Sequence, residues 1–144
     1  MERNDWSYLE HMLQACENIF EFMQGFESEN DFVGSKVHRG AVTMELLSLG
    51  ELVKKTCEHG SIDGRDDLWR NVIRFRDRTS HWYHTTDFSI VYTIVINRVP
   101  LIYAALQQQQ RQQQQSEAIQ QQQRQQNDAN QDIPTINAFG DDSR

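Results

Sequence analysis

Basic charge, cysteine and uninterrupted apolar stretches are all scarce in this sequence. Lysine and arginine together number 14 against 21 acidic residues, a formal net charge of -7 over 144 residues. Sequence-independent binding of DNA or RNA is carried by a broad basic face, so that class is excluded and any phosphate-bearing ligand must be met locally. The two cysteines, Cys16 and Cys57, fall on apolar helix faces with no motif around either. They are expected to be buried thiols in a reducing compartment, neither a disulfide nor a nucleophile. Met1 to Asp5 is polar and lacks the basic region, apolar run and cleavage site of a secretory leader. The most apolar stretch, 88–106, is interrupted by Ser89, Thr93, Asn97, Arg98 and Pro100 and is too polar for a bilayer span. The expectation is a soluble, cytoplasmic protein with no membrane segment.

What the sequence does contain is helical periodicity. Leu9, Met12, Leu13, Cys16, Ile19, Phe20, Met23 and Phe26 recur at three- and four-residue steps, predicting a helix over 5–26 that ends near Gly25. Val42, Leu46, Leu49, Val53 and Cys57 predict a second over 31–59, with Val37, Ala41 and Met44 widening its apolar stripe. Gly50 lies inside it, where a close helix contact is one reading and a tolerated glycine the simpler one. Asp66 or Asp67 can cap a third helix through Leu68, Trp69, Val72, Ile73 and Phe75. Thr86 or Asp87 can cap a fourth through Phe88, Val91, Ile94, Val95 and Ile102, which Pro100 should kink or end. The predicted fold is all-α, an antiparallel four-helix bundle over residues 1–106. Residues 107–144 form a glutamine-rich, low-complexity tail, expected to be disordered or partly helical, without a core or chemistry.

The informative stretch is RNVIRFRDRTSHWYHTTD, residues 70–87, which gathers Arg70, Arg74, Arg76, Arg78, His81 and His84 into an otherwise acidic chain. A solvated basic face paired with Asp66, Asp67 and Asp77 is the bland reading. Asp77 and His81 are four apart, so on a helix the carboxylate would orient the imidazole and favour its protonated form. Arg76 is five before His81, about 140° away on an ideal helix, so the two share a face only if the helix ends or distorts between them. A two-fold axis could instead bring Arg76 and His81 of both chains into one groove. RNA cleavage asks for little more: the ribose 2′-OH attacks its own phosphate when a histidine moves protons and a cation stabilises the charge developing on phosphorus. The spacing His81-x-x-His84 is too sparse for a metal site, so no metal or cofactor is expected.

Arg76-x4-His81-x-Tyr83 resembles the RX4HXY motif of HepT-like HEPN proteins. Leu47 to Thr56, LSLGELVKKT, is similar to the glycine-glutamate segment of that family's second helix. Trp69 precedes the motif at the usual place, and Asp87 to Leu101 resembles the final helix with its late proline. The resemblance covers roughly residues 5–106. It implies a metal-independent, homodimeric ribonuclease toxin with Arg76, His81 and Asp77 catalytic; the other cations of the stretch, Arg74, Arg78 and His84, are expected on the side of the RNA substrate. It also implies a nucleotidyltransferase antitoxin partner that AMPylates Tyr83. Asp77 and Trp82 depart from the asparagine and glycine frequent at those places; an indole there could stack on a base or fill the groove. Two further readings stand beside the enzyme: a non-catalytic HEPN module binding a nucleotide or a nucleotidyltransferase, and a helical adaptor acting through the glutamine tract.

Overall fold

The long amphipathic periods fold as helices, and among the described residues no strand occurs. The computed structural model describes residues 3–79 and 83–132. Helix α1 spans Arg3–Met23, α2 Glu29–Gly34, α3 Lys36–Glu58, α4 Asp67–Thr79, α5 Phe88–Asn97 and α6 Val99–Gln131, with a 3-10 turn at Tyr83–Thr85. Packing divides the chain into 1–109 and 110–144.

In the first unit α3 is the central element, packed against α1 on one side and α4 on the other, with smaller contacts to α2 and α5. Its core residues Val42, Leu46, Leu49 and Val53 are wholly buried and meet Leu9, Met12, Cys16 and Ile19 of α1 and Trp69, Val72 and Phe75 of α4. Val91, Ile94 and Val95 of α5 and Val99, Ile102 and Leu106 of α6 join the same core. Area removed from water by these side chains is the main term holding the helices together.

The start and stop signals sit close to where the sequence puts them. Gly25, with φ +88°, follows the end of α1 in the left-handed region that glycine tolerates. Asp66 caps α4, its Oδ1 accepting from the Leu68 N–H at 3.0 Å, and Asp87 caps α5 by accepting from Ser89 N–H at 2.9 Å. The helices α5 and α6 meet at Arg98 with a 44° bend, and Pro100 lies in the first turn of α6, where its missing N–H costs least. No single described helix is long and apolar enough to cross a membrane.

Three expectations are corrected. The second helix is not continuous over 31–59: Gly34 ends α2, Ser35 is extended at ψ 99°, and α3 begins at Lys36. The break is tied down by Arg39, whose NH1 donates to the Val33 carbonyl at 2.7 Å. Val37 and Met44 do not widen the apolar stripe, being 78% and 57% exposed. Beside Val42, the residue buried on that stretch is Thr43, its hydroxyl donating to the Arg39 carbonyl. Cys57 is only half-buried, whereas Cys16 is fully buried as expected.

In the second unit the glutamine tract is helical through Gln131, with most side chains exposed and Ile119 55% exposed. Glutamine's fair helix propensity accounts for the helix, and the lack of apolar residues for the absence of a core along it.

Candidate active site

The period of α4 fixes which of its charges face where. Trp69, Val72, Phe75 and Thr79 turn inward, leaving Arg70, Arg74, Asp77 and Arg78 on the exposed side. Arg76 falls between the two, along the seam with α3, and its side chain is 27% exposed. That seam is unusually tight at Gly50. A Cβ placed on Gly50 would lie 2.7 Å from Arg76 Cβ and 2.8 Å from the Val72 carbonyl oxygen. The glycine is therefore required by a close approach, and the simpler reading of it as merely tolerated is overturned.

One turn of α3 beyond the glycine supplies partners for the arginine. Arg76 NH2 donates to Glu51 Oε2 at 2.6 Å, and its NH1 donates to Asp77 Oδ1 at 2.9 Å. Lys54 Nζ reaches the same Asp77 oxygen at 3.0 Å, and Lys55 stands 3.8 Å from Glu51. Three cations thus surround two carboxylates, so the cluster keeps a positive excess in a chain of negative net charge. The hydrogen bond to Asp77, and behind it the charge of Glu51, push the Arg76 guanidinium above its ordinary value. It is cationic at every relevant pH and is held from both sides, in the manner that preorganises a group for developing negative charge.

The hydrogen bonds from Arg76 and then Lys54 hold the Asp77 carboxyl below the ordinary 3.8. A carboxylate whose folded value is depressed stabilises the fold above the unfolded value and loses that contribution as pH falls through the folded one. Because Asp77 is nearly half exposed, its pair interactions are worth under about 1 kcal/mol. Asp77→Asn is therefore expected to lower the melting temperature slightly at pH 7 and to leave it unchanged relative to the native chain near pH 2. Thermal melts across that range check the sign; an equal gap at both ends would contradict it.

The predicted site residues are distributed as follows. Arg76 and Asp77 are brought together. Arg74 and Arg78, one turn apart, line a cleft of about 1020 Å³ between α4 and α5, with Asp77 in the same wall. His84 is exposed on the 3-10 turn that carries the Tyr83 backbone. His81, the expected pairing of Asp77 with it, and Trp82 lie outside the described residues, as does the side chain of Tyr83. Arg70 pairs with Asp67, as a solvated face would, whereas Asp66 is used as a cap. Glu51 and Lys54 were missed as site residues, although the glycine-glutamate pair Gly50-Glu51 was the signal that could have found them. Burial pushes the Cys16 thiol up to about 12 and raises that of Cys57, so neither offers a thiolate at neutral pH. Among the described residues no cluster of three histidine, cysteine or acidic side chains has the arrangement to hold a metal ion.

Comparison with known proteins matches residues 12–109 to the family described as "Ribonuclease HepT-like". The chain is 30% identical over 93 residues to a protein of Caldanaerobacter subterraneus subsp. tengcongensis named "Putative RNase", covering 65% of this chain and 82% of that one. It is 30% identical over 100 residues to a Thermococcus cleftensis protein named "Probable ribonuclease HepT", covering 69% and 90%. A Methanocaldococcus jannaschii protein, again named "Putative RNase", is 29% identical over 94 residues, covering 65% and 77%. No solved structure matches the chain.

Proposed function

We propose that this chain, which belongs to the HepT-like ribonuclease family, cleaves RNA without a metal ion, through Arg76 and His81. The observation that carries this reading is the Arg76 cluster: a permanently charged guanidinium, locked between Glu51 and Asp77 beside an open cleft that two further arginines line. In the step envisaged, a 2′-OH loses its proton as its oxygen bonds to the adjacent phosphorus. The P–O5′ bond breaks, and the leaving 5′ oxygen takes up a proton. His81 moves the protons, and Arg76 stabilises the negative charge that grows on the phosphoryl oxygens. Asp77 acts on Arg76, by holding it, and is a positioning residue.

Two finer elements belong to the same proposal. The working unit is a homodimer, in which the second chain doubles the local positive charge around the RNA. The chain is the toxin of a pair whose antitoxin, a nucleotidyltransferase, AMPylates Tyr83. Each AMP adds a phosphate's negative charge next to the arginines, where it competes with RNA for them. The relatives' names support RNA as the substrate; the partner and the modification rest on the motif alone.

The testing experiment is RNA cleavage by the purified full chain in excess chelator. Native protein is expected to cut, and His81→Ala at matched folding to lose about 10²–10⁴-fold, the usual worth of a positioned proton carrier. Equal turnover by native and His81→Ala protein would overturn the assignment and leave a non-catalytic module as the better reading.

A further inference from the structure

The cleft between α4 and α5 holds chemistry that the cleavage step does not use. Its floor is apolar, made by Phe75 and Ile94, which are almost wholly buried, and by Ile90, whose surface is 48% exposed. At one place in the wall, Asn71 and Arg98 face each other. With the Asn71 amide turned so that its oxygen faces Arg98, the orientation that the surrounding hydrogen-bonding groups require, that oxygen accepts from Arg98 Nε at 3.2 Å and from its NH2 at 3.3 Å. Arg98 is anchored at the α5–α6 junction, its own backbone N–H donating to the Ile94 carbonyl at 2.8 Å. With the Asn71 oxygen engaged, its amide NH2 and the Arg98 N–H groups not spent on it are the donors that this pair contributes to the wall.

The rim has the opposite character from the floor. Arg74 and Arg78, exposed on α4, line the cleft and have no acidic partner among the described residues. The two carboxylates that also line the cleft are committed elsewhere: Asp77 accepts from Arg76 and Lys54, and Asp87 caps α5. An apolar floor, a donor pair and a cationic rim are complementary to one kind of ligand, a flat heteroaromatic ring bearing acceptors and a phosphate. The volume of about 1020 Å³ is ample for one nucleotide.

We propose that this cleft is a nucleobase subsite that takes one unpaired nucleotide of the RNA and prefers guanine to adenine. The base lies against Phe75, Ile90 and Ile94, its acceptor edge meets the Asn71–Arg98 donors, and its phosphate meets Arg74 and Arg78. Guanine presents O6 and N7 side by side, two acceptors for two donors, whereas adenine sets an amino group against them. Asp77 belongs both to the cleft wall and to the Arg76 cluster. The bound nucleotide is therefore a neighbour of the one whose phosphate is cut, and the cleft selects where in a single strand cleavage falls. This inference rests on the RNA-cleavage reading for the nature of the ligand, but its binding is measurable apart from any cleavage.

The experiment measures binding of 5′-GMP and 5′-AMP to the full chain by calorimetry, alongside cleavage of a single-stranded RNA. The native chain is expected to favour GMP by about tenfold, the discrimination of one good bidentate contact. Asn71→Asp is the decisive variant. It keeps size and the pairing with Arg98 but exchanges the amide donor for an acceptor, and is expected to abolish or reverse the preference. Arg74→Ala with Arg78→Ala should weaken both nucleotides alike. Equal binding of GMP and AMP to the native chain, or an unchanged preference in Asn71→Asp, would overturn the subsite while cleavage persists. A native chain that cuts no RNA yet shows the Asn71-dependent preference would remove the ribonuclease reading and keep the subsite. Ile90→Glu, at an exposed position, is expected to reduce nucleotide binding. If it instead alters the sedimentation of the chain and leaves nucleotide binding intact, a second copy occupies the cleft and the proposal fails.

Discussion

Arg76→Ala is expected to lower RNA cleavage by about 10²–10³-fold, the cost of removing one preorganised donor aimed at developing charge. The loss should fall on kcat, because the guanidinium is matched to charge that appears only in the transition state, and KM should change little. Arg74→Ala is the natural contrast. Arg74 lines the cleft without an acidic partner among the described residues, so its removal should raise KM and flatten the salt dependence of binding while kcat stays nearly constant. Arg76→Lys should recover little. The three donors of an ammonium radiate from one atom and do not reproduce the planar fork by which arginine reaches Glu51 on α3 and Asp77 on α4 through separate nitrogens. Steady-state kinetics on one oligoribonucleotide, with far-ultraviolet circular dichroism as the folding check, separate these outcomes. A kcat in Arg76→Ala within about threefold of the native value would show that the cluster is a structural ion-pair network only.

The second large effect is expected from a residue with no functional group. Gly50→Val would place a Cβ within 2.7 Å of Arg76 Cβ and 2.8 Å of a backbone oxygen on α4. Neither contact is relieved by turning a side chain, so α4 must move away from α3. Overpacking of this kind costs about 1–3 kcal/mol. Alanine would recover about 1 kcal/mol through helix propensity, but valine, stiff at χ1, recovers less and adds two methyl groups to the overlap. A fall in melting temperature of about 4–15 °C follows for a domain of this size. Activity should fall further than stability explains, since the same displacement carries Arg76 away from Glu51. Full activity in folded Gly50→Val at low temperature would show that the close approach does not position the arginine.

Most of the helical framework was legible because its signals are local. The three- and four-residue apolar steps of α1, α4 and α5, and the aspartates before α4 and α5, act within one or two turns. The break at Ser35 was not. Gly34 and Ser35 interrupt a stripe that Val37 and Met44 continue in sequence, and only the fold shows those two side chains in solvent. At the site, Arg76 and Asp77 could be singled out from spacing on one helix. Their partners Glu51 and Lys54 lie more than twenty residues away on α3, and the Asn71–Arg98 pair joins α4 to the far end of α5. Such pairings depend on how the helices dock, which periodicity does not specify. Gly50 lies between these cases: its place in a helix was evident, but the reason for it exists only where α4 crosses.

The most direct test of the central claim is the chemistry of the cut ends. The full chain, in excess chelator, would be given an oligoribonucleotide with one preferred cleavage site and the same strand carrying a single 2′-deoxy sugar there. Attack by the 2′-OH under Arg76 and His81 predicts a 2′,3′-cyclic phosphate and a 5′-hydroxyl from the first strand, and no cleavage at that site in the second. Ends bearing a 5′-phosphate and a 3′-hydroxyl, or cleavage that survives the deoxy substitution, would contradict it.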